Sequence, residues 1–194
     1  MPIPSLISVA VAMGSLLPWG PGPEGRAAFA DPAPAAAIQL EVSLSDRQLR
    51  VLQEGTLLRS YEVAIGQEKY PTPTGTFSIG RLVWNPRWVP PKVPWAKGKT
   101  AKEPGDPDNP MGKVKLFFKE PDYYIHGTQA EESLGQAASH GCVRMANSDV
   151  VEVAQLVMEH AGEGRPQSWF ARILNLVRPH EVRLSNRVPI TIVE

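Results

Sequence analysis

The chain predicts a mainly β, turn-rich domain with one or two helices, on three observations. It has 20 prolines and 16 glycines in 194 residues with only 7% aromatics, which disfavours long helical bundles. From Ile38 onward apolar residues recur at every second position, the period of a strand with one buried face. Only two stretches near the C-terminus change to helical spacing. That length suits one domain with a short appendage and is enough to bury a real core. The 20 acidic and 20 basic side chains balance, so nothing suggests a nucleic-acid partner or a polybasic membrane surface.

Residues 6–17, LISVAVAMGSLL, are too short an apolar run to span a bilayer, and Ala28-Phe29-Ala30 supplies a small-x-small cleavage site. Residues 1–30 thus resemble a secretory signal peptide, although MPIPS lacks a basic residue and the proline-rich 18–23 stretch lengthens the spacer. The expectation is an exported protein of the periplasm or cell wall, with membrane association only if the segment stays uncleaved. The single cysteine lies far downstream, which excludes lipid attachment behind the apolar run. Residues 31–37, DPAPAAA, read as a Pro/Ala linker, and folding should begin at Ile38.

Ile38, Leu40, Val42 and Leu44, then Leu49 and Val51, alternate around turn signals at Ser45-Asp46 and Glu54-Gly55, predicting a three-stranded meander. A strand follows over 76–83. Pro86, Pro90 and Pro91 then forbid regular pairing, so 84–112 should be a long irregular loop. Trp84, Trp88 and Trp95 favour an ordered cleft wall there, because such large rings are seldom left in solvent. Two short strands are expected over 114–118 and 122–125, the second delivering His126 at its end. Asn147 or Ser148 should cap a helix over 149–161 with its stripe at Val150, Val153, Ala154 and Val157, and Gly162 should end it. A second helix over 168–177 would bury Trp169, Ile173, Leu176 and Val177, and the alternating tail should close the sheet. The sequence holds no internal repeat, no phosphate-binding glycine pattern and no acid cluster suited to calcium.

The chemistry concentrates in residues 124–145, YIHGTQAEESLGQAASHGCVRM, with Cys142, His126 and His140. A lone cysteine is ordinarily a small buried hydrophobe. Here it sits between Gly141 and Val143, next to His140 and near Arg144, which points to a nucleophile, with His126 to take the thiol proton and return it to a leaving amine. Gly141 would let backbone N–H groups approach a developing oxyanion, and the following helix would favour thiolate if aimed at the sulfur. No carboxylate is placed to orient His126, which leaves a backbone carbonyl such as that of Gly127. A zinc site from His126, His140 and Cys142 is the alternative, but no fourth ligand stands at a familiar spacing. His160 and His180 receive no role.

IHGT at 125–128 followed by SHGCVRM at 139–145 resembles the signature of the L,D-transpeptidase catalytic domain, the YkuD-like family of bacterial cell-wall enzymes. Gly66, PTPTGTF at 71–77, WNPRWVPP at 84–91 and DNPMGKVKL at 108–116 resemble that family's other blocks in order, so the resemblance covers 38–194. It implies a β-sandwich-like mixed-sheet fold, no metal and no cofactor. Position by position it implies Cys142 as nucleophile, His126 as general base oriented by the Gly127 carbonyl, Ser139 and His140 bracketing the nucleophile turn, Gly141 with Cys142 as backbone donors, and Arg144 as a substrate-carboxylate or loop-anchoring contact. Peptidoglycan stem peptides are the implied substrates and carbapenems the implied acylating inhibitors. The expected reaction is 3→3 crosslinking through a Cys142 thioester. L,D-carboxypeptidase activity, attachment of a wall protein, and a non-catalytic wall-binding domain are the rivals. The 84–108 loop and the 165–180 stretch depart from the family pattern.

Overall fold

The structure is a computed structural model that describes Met1 and residues 37–194. The expected leader over 1–30 and linker over 31–37 therefore lie, Met1 and Ala37 apart, outside the described residues. β1 (Ile38–Ser43), β2 (Gln48–Gln53) and β3 (Thr56–Glu62) form the antiparallel meander that the alternation predicts. β4 (Ile65–Gly66), β5 (Gly75–Trp84), β6 (Val114–Lys119), β7 (Tyr123–Thr128), β8 (Ala137–Ser139), β9 (Val143–Ala146) and β10 (His180–Val193) follow. Eight of them make one mixed sheet in the order β3-β2-β1-β10-β5-β6-β7-β9, and β4 pairs with β8 alone.

The tail does not close the sheet as expected; it occupies the middle. β10 runs parallel to β1 and antiparallel to β5, with Ile190 opposite both Leu40 and Phe77. Val188, Ile190 and Ile192 are buried, and a strand with such a face is stabilised most with neighbours on both sides. Near-closure comes instead from Ala64, just past β3, which exchanges backbone hydrogen bonds of 2.8 and 2.9 Å with Arg144 of β9. The sheet's two edges thereby meet beside Cys142.

α1 (Asn147–Met158) packs on β6 and β7 and buries Val150, Val153, Ala154 and Val157, the expected stripe. Its cap differs from expectation. Ala146 is the N-cap, Ser148 bonds Asp149, and the Asn147 amide reaches away to Thr128 O (2.9 Å) and the Lys113 N–H (2.9 Å). Asn147 thus ties β7 to the loop before β6 instead of satisfying the helix. A π-helical turn at Glu159–Glu163 ends at Gly162, whose φ of +84° fits a residue without Cβ.

α2 (Gln167–Leu174) stops earlier than expected, so Leu176 is half-buried and Val177 is 81% exposed. Its inward face is Trp169, Phe170 and Ile173, which meet Trp84 at ring-centroid distances of 6.0 Å from Trp169 and 5.5 Å from Phe170. Trp84 therefore belongs to β5 and the core, not to the cleft wall. The loop that follows is ordered by a backbone bridge between Trp88 and Lys102 and by buried Asn109, whose side chain donates to the carbonyls of Pro86 (2.8 Å) and Glu103 (3.1 Å). A 3₁₀ turn at Pro94–Ala96 carries Trp95.

Candidate active site

Alternation along β6, β7 and β9 builds the site. Lys115 lies opposite His126, Phe117 opposite Tyr124, Ile125 opposite Val143 and His126 opposite Arg144. Side chains two apart share a face. Leu116, Ile125, Val143 and Met145 go to the core, leaving Lys115, Tyr124, His126 and Arg144 on the other face, with Cys142 just before β9 in line with Arg144. That face floors a cleft of about 1250 Å³ lined also by Ser139, His140, Trp88 and Trp95.

His126 sits within β7, not at its end, because pairing with β6 and β9 carries the strand on to Thr128. It is 3% exposed, and its Nδ1–H donates to the Gly127 carbonyl at 2.7 Å, the tautomer that leaves Nε2 with a free lone pair. Burial, with Arg144 and Lys115 nearby, pushes its pKa down to about 3 against the opposing pull of the Gly127 and Pro110 carbonyls, so the ring is a neutral acceptor.

Cys142 is partly exposed, and its Sγ–H donates to the Asp122 carbonyl at 3.3 Å. Burial pushes the thiol pKa up, against hydrogen bonds from Tyr124 and the charges of Lys115 and Arg144. The expected helix field does not contribute. β9 separates Cys142 from α1 by four extended residues, roughly 13 Å, beyond the first-turn reach of a helix terminus. The positive field at the sulfur comes from the two cations.

Ser139 is buried and fixes the turn: its Oγ donates to the Cys142 carbonyl and accepts the Gly141 N–H at 3.1 Å. The Gly141 N–H is therefore engaged in this state, and serving an oxyanion would require the Ser139 bond to yield. Gly141 has φ +106°, and a Cβ there would stand 2.9 Å from the Tyr123 ring, so only glycine fits. A Cβ on Gly127 would meet Asn147 Oδ1 at 2.3 Å, which explains the glycine after His126. His140 belongs to the aromatic wall of the cleft. Its ring stacks on Trp95 at 3.9 Å and lies 4.9 Å from Tyr70, and burial lowers its pKa. Gly66 N–H donates to Thr72 Oγ1 at 2.8 Å, folding the 66–72 turn that presents Tyr70.

The cleft thus gathers Cys142, His126, Ser139, His140 and Arg144, while Gly127 and Gly141 act through backbone. Lys115, Tyr124, Tyr70 and Asn147 were not anticipated. The alternation in KVKLFF and DYYIH would have placed Lys115 and Tyr124 beside His126 once β6 and β7 were paired. Among the described residues no group of three His, Cys, Asp or Glu side chains is disposed to hold a metal ion, and no helix is long and apolar enough to cross a membrane.

Comparison with known proteins agrees with this geometry. The family model of the YkuD L,D-transpeptidase catalytic domain matches residues 38–177. The candidate L,D-transpeptidase YkuD of Bacillus licheniformis is 33% identical over 119 residues, 61% of this chain and 59% of that protein. Its counterpart YqjB of Bacillus subtilis is 35% identical over 121 residues, 60% of this chain and 64% of that protein. The chain spans about three-fifths of the length of these relatives. The fold resembles L,D-transpeptidase 3 of Mycobacterium tuberculosis, solved with a faropenem-derived adduct, at TM-score 0.53 and 15% identity, covering 81% of this chain and 60% of that one. It also resembles an L,D-transpeptidase of Mycobacterium smegmatis at TM-score 0.51 and 16% identity, covering 82% and 59%. The described domain is mainly β with two helices, its near-closed sheet carries the family's motif residues in one cleft, and the chain belongs to the L,D-transpeptidase catalytic-domain family.

Proposed function

We propose that the protein is an exported cysteine L,D-transpeptidase that crosslinks peptidoglycan tetrapeptide stems through a Cys142 thioester. The observation that carries the reading is the sharing of one cleft by Cys142 and His126, with His126 held neutral by the Gly127 bond and burial. Export is supported by the apolar run and the small-x-small site before Asp31.

The thiol leaves the Asp122 carbonyl and gives its proton to His126 Nε2 as sulfur attacks the carbonyl carbon joining stem residues three and four. Lys115 and Arg144 stabilise the sulfur's negative charge as it develops. Collapse of the tetrahedral intermediate breaks the C–N bond, the imidazolium protonates the amine, and D-alanine departs. A side-chain amine of a second stem then attacks the thioester, His126 takes its proton, and the thiol is re-formed with a 3→3 amide bond. Penems and carbapenems would acylate the same sulfur, as the faropenem-derived adduct of the M. tuberculosis relative suggests.

Incubation of the protein with purified disaccharide tetrapeptides, read by mass spectrometry, tests this. The expected product is a dimer that has lost one D-alanine. Tripeptide alone would make water the acceptor, a conjugate to an added lysine-bearing wall protein would make the protein amine the acceptor, and no product from folded protein would leave a non-catalytic binding domain.

A further inference from the structure

Lys115 has no task in the family resemblance, yet it stands at the centre of the site. It is the ladder partner of His126 and lines the cleft, and its Nζ lies 4.6 Å from the Tyr124 ring centroid and 5.2 Å from that of Phe117. Ring faces and one cation, Arg81, surround it; the opposite charge that acts on it is that of Cys142 once deprotonated, and neither cleft carboxylate, Asp108 or Asp122, does so. Asp108 is taken by Lys102 at 3.1 Å. Arg144 is alike, half-buried and, among the described residues, without an ion pair. Two cations drawn from water without a counter-charge raise the energy of the empty cleft, and a ligand that brings negative charge relieves it. Arg81, half-buried as well, is by contrast held by Glu120 and Glu181.

A tetrapeptide donor offers two carboxylates close to the scissile amide: the terminal one on residue four, and the side-chain one on residue three when that residue is a diamino diacid. We propose that Lys115 grips a carboxylate of the acyl donor and so makes the site select donors that keep a free carboxylate beside the scissile bond. This rests on acyl transfer by Cys142. Lys115 suits the role because its ammonium is held over the Tyr124 and Phe117 rings without a carboxylate partner, one strand away from the sulfur across β7.

The test is kinetic, with three donors and three enzymes. The donors are the tetrapeptide with both carboxylates free, its side-chain amide and its terminal amide; the enzymes are the wild type, Lys115→Met and Lys115→Arg. A charge-assisted hydrogen bond corresponds to roughly 10- to 150-fold in kcat/KM. The wild type should prefer the free acid over one amide by about that factor. Lys115→Met should lose on every donor the charge stabilisation that Lys115 gives the sulfur, and on the free acid about that factor more than on the amide; Lys115→Arg should recover most of the preference. The amide on which Lys115→Met adds no loss beyond the one shared by all donors identifies which carboxylate is held. Equal losses on all donors, as from a purely structural or thiol-acidifying lysine, would overturn the proposal. So would a wild type that ranks the donors alike, a readout that survives even if Lys115→Met does not fold. A wild type that turns over no donor would overturn both this proposal and the transpeptidase reading.

Discussion

Burial sets the resting state of the two central residues, a neutral His126 and a protonated Cys142, and both consequences can be titrated. The thiol pKa is raised by burial and pulled back by Tyr124, Lys115 and Arg144. Iodoacetamide alkylation should therefore accelerate with pH to beyond about 9, above the ordinary thiol range. Lys115→Met should move that profile further up. A profile that levels off near neutral pH would mean a preformed thiolate. His126 provides a second test through stability. Its folded pKa lies near 3, so between about 6.5 and 3 the unfolded chain binds a proton that the folded chain does not. Stability should then fall as pH drops below about 6.5, by at most ~1.4 kcal/mol per pH unit from this residue. His126→Gln should flatten that slope in urea titrations at several pH values, and an unchanged slope would mean the ring is protonated in the fold.

At the scale of elements, the strands and the helix stripe were legible where alternation or helical spacing ran long enough, as in Ile38–Ser43 and Val150–Val157. β9 was not, because its four residues follow Gly-Cys and are read as a motif. The end of β7 was misplaced for the same reason: strand pairing, not local sequence, carries it past His126 to Thr128. Cys142 and His126, the proposed nucleophile and base, stood out from residue type and spacing, and the fold brings them to one cleft. Lys115 and Tyr124 were hidden because their meaning depends on the β6–β7 register. Asn147 looked like a helix cap and is a clamp between β7 and the loop at Lys113. Asn147→Ala strands the Thr128 carbonyl and the Lys113 N–H and should cost about 1–3 kcal/mol in denaturant unfolding. A loss no larger than that of an exposed surface substitution would show the clamp to be incidental.

For the whole molecule, the near-closed sheet explains why the site can be rigid although its cleft wall is a proline-rich loop. The bridge from Ala64 to Arg144 joins one sheet edge to the strand that follows Cys142. Ala64→Pro removes the N–H that Arg144 O accepts. It should lower the acylation rate per folded molecule along with stability. Trp84→Ala, which opens a cavity between β5 and α2 away from the cleft, should cost about 3–5 kcal/mol while leaving the acylation rate of the folded fraction near that of the wild type. If both variants changed acylation alike, the bridge would have no particular bearing on the site. The tail's place in mid-sheet was not legible in the sequence, since a period-two pattern records one buried face and says nothing of how many neighbours a strand has.

The most direct measurement is intact-protein mass spectrometry of the full chain after exposure to a carbapenem, beside Cys142→Ala. One covalent adduct on the wild type and none on the folded variant is the expected result and would place the acyl-accepting nucleophile at Cys142. No adduct on folded wild type, or an adduct that persists in Cys142→Ala, would contradict the account.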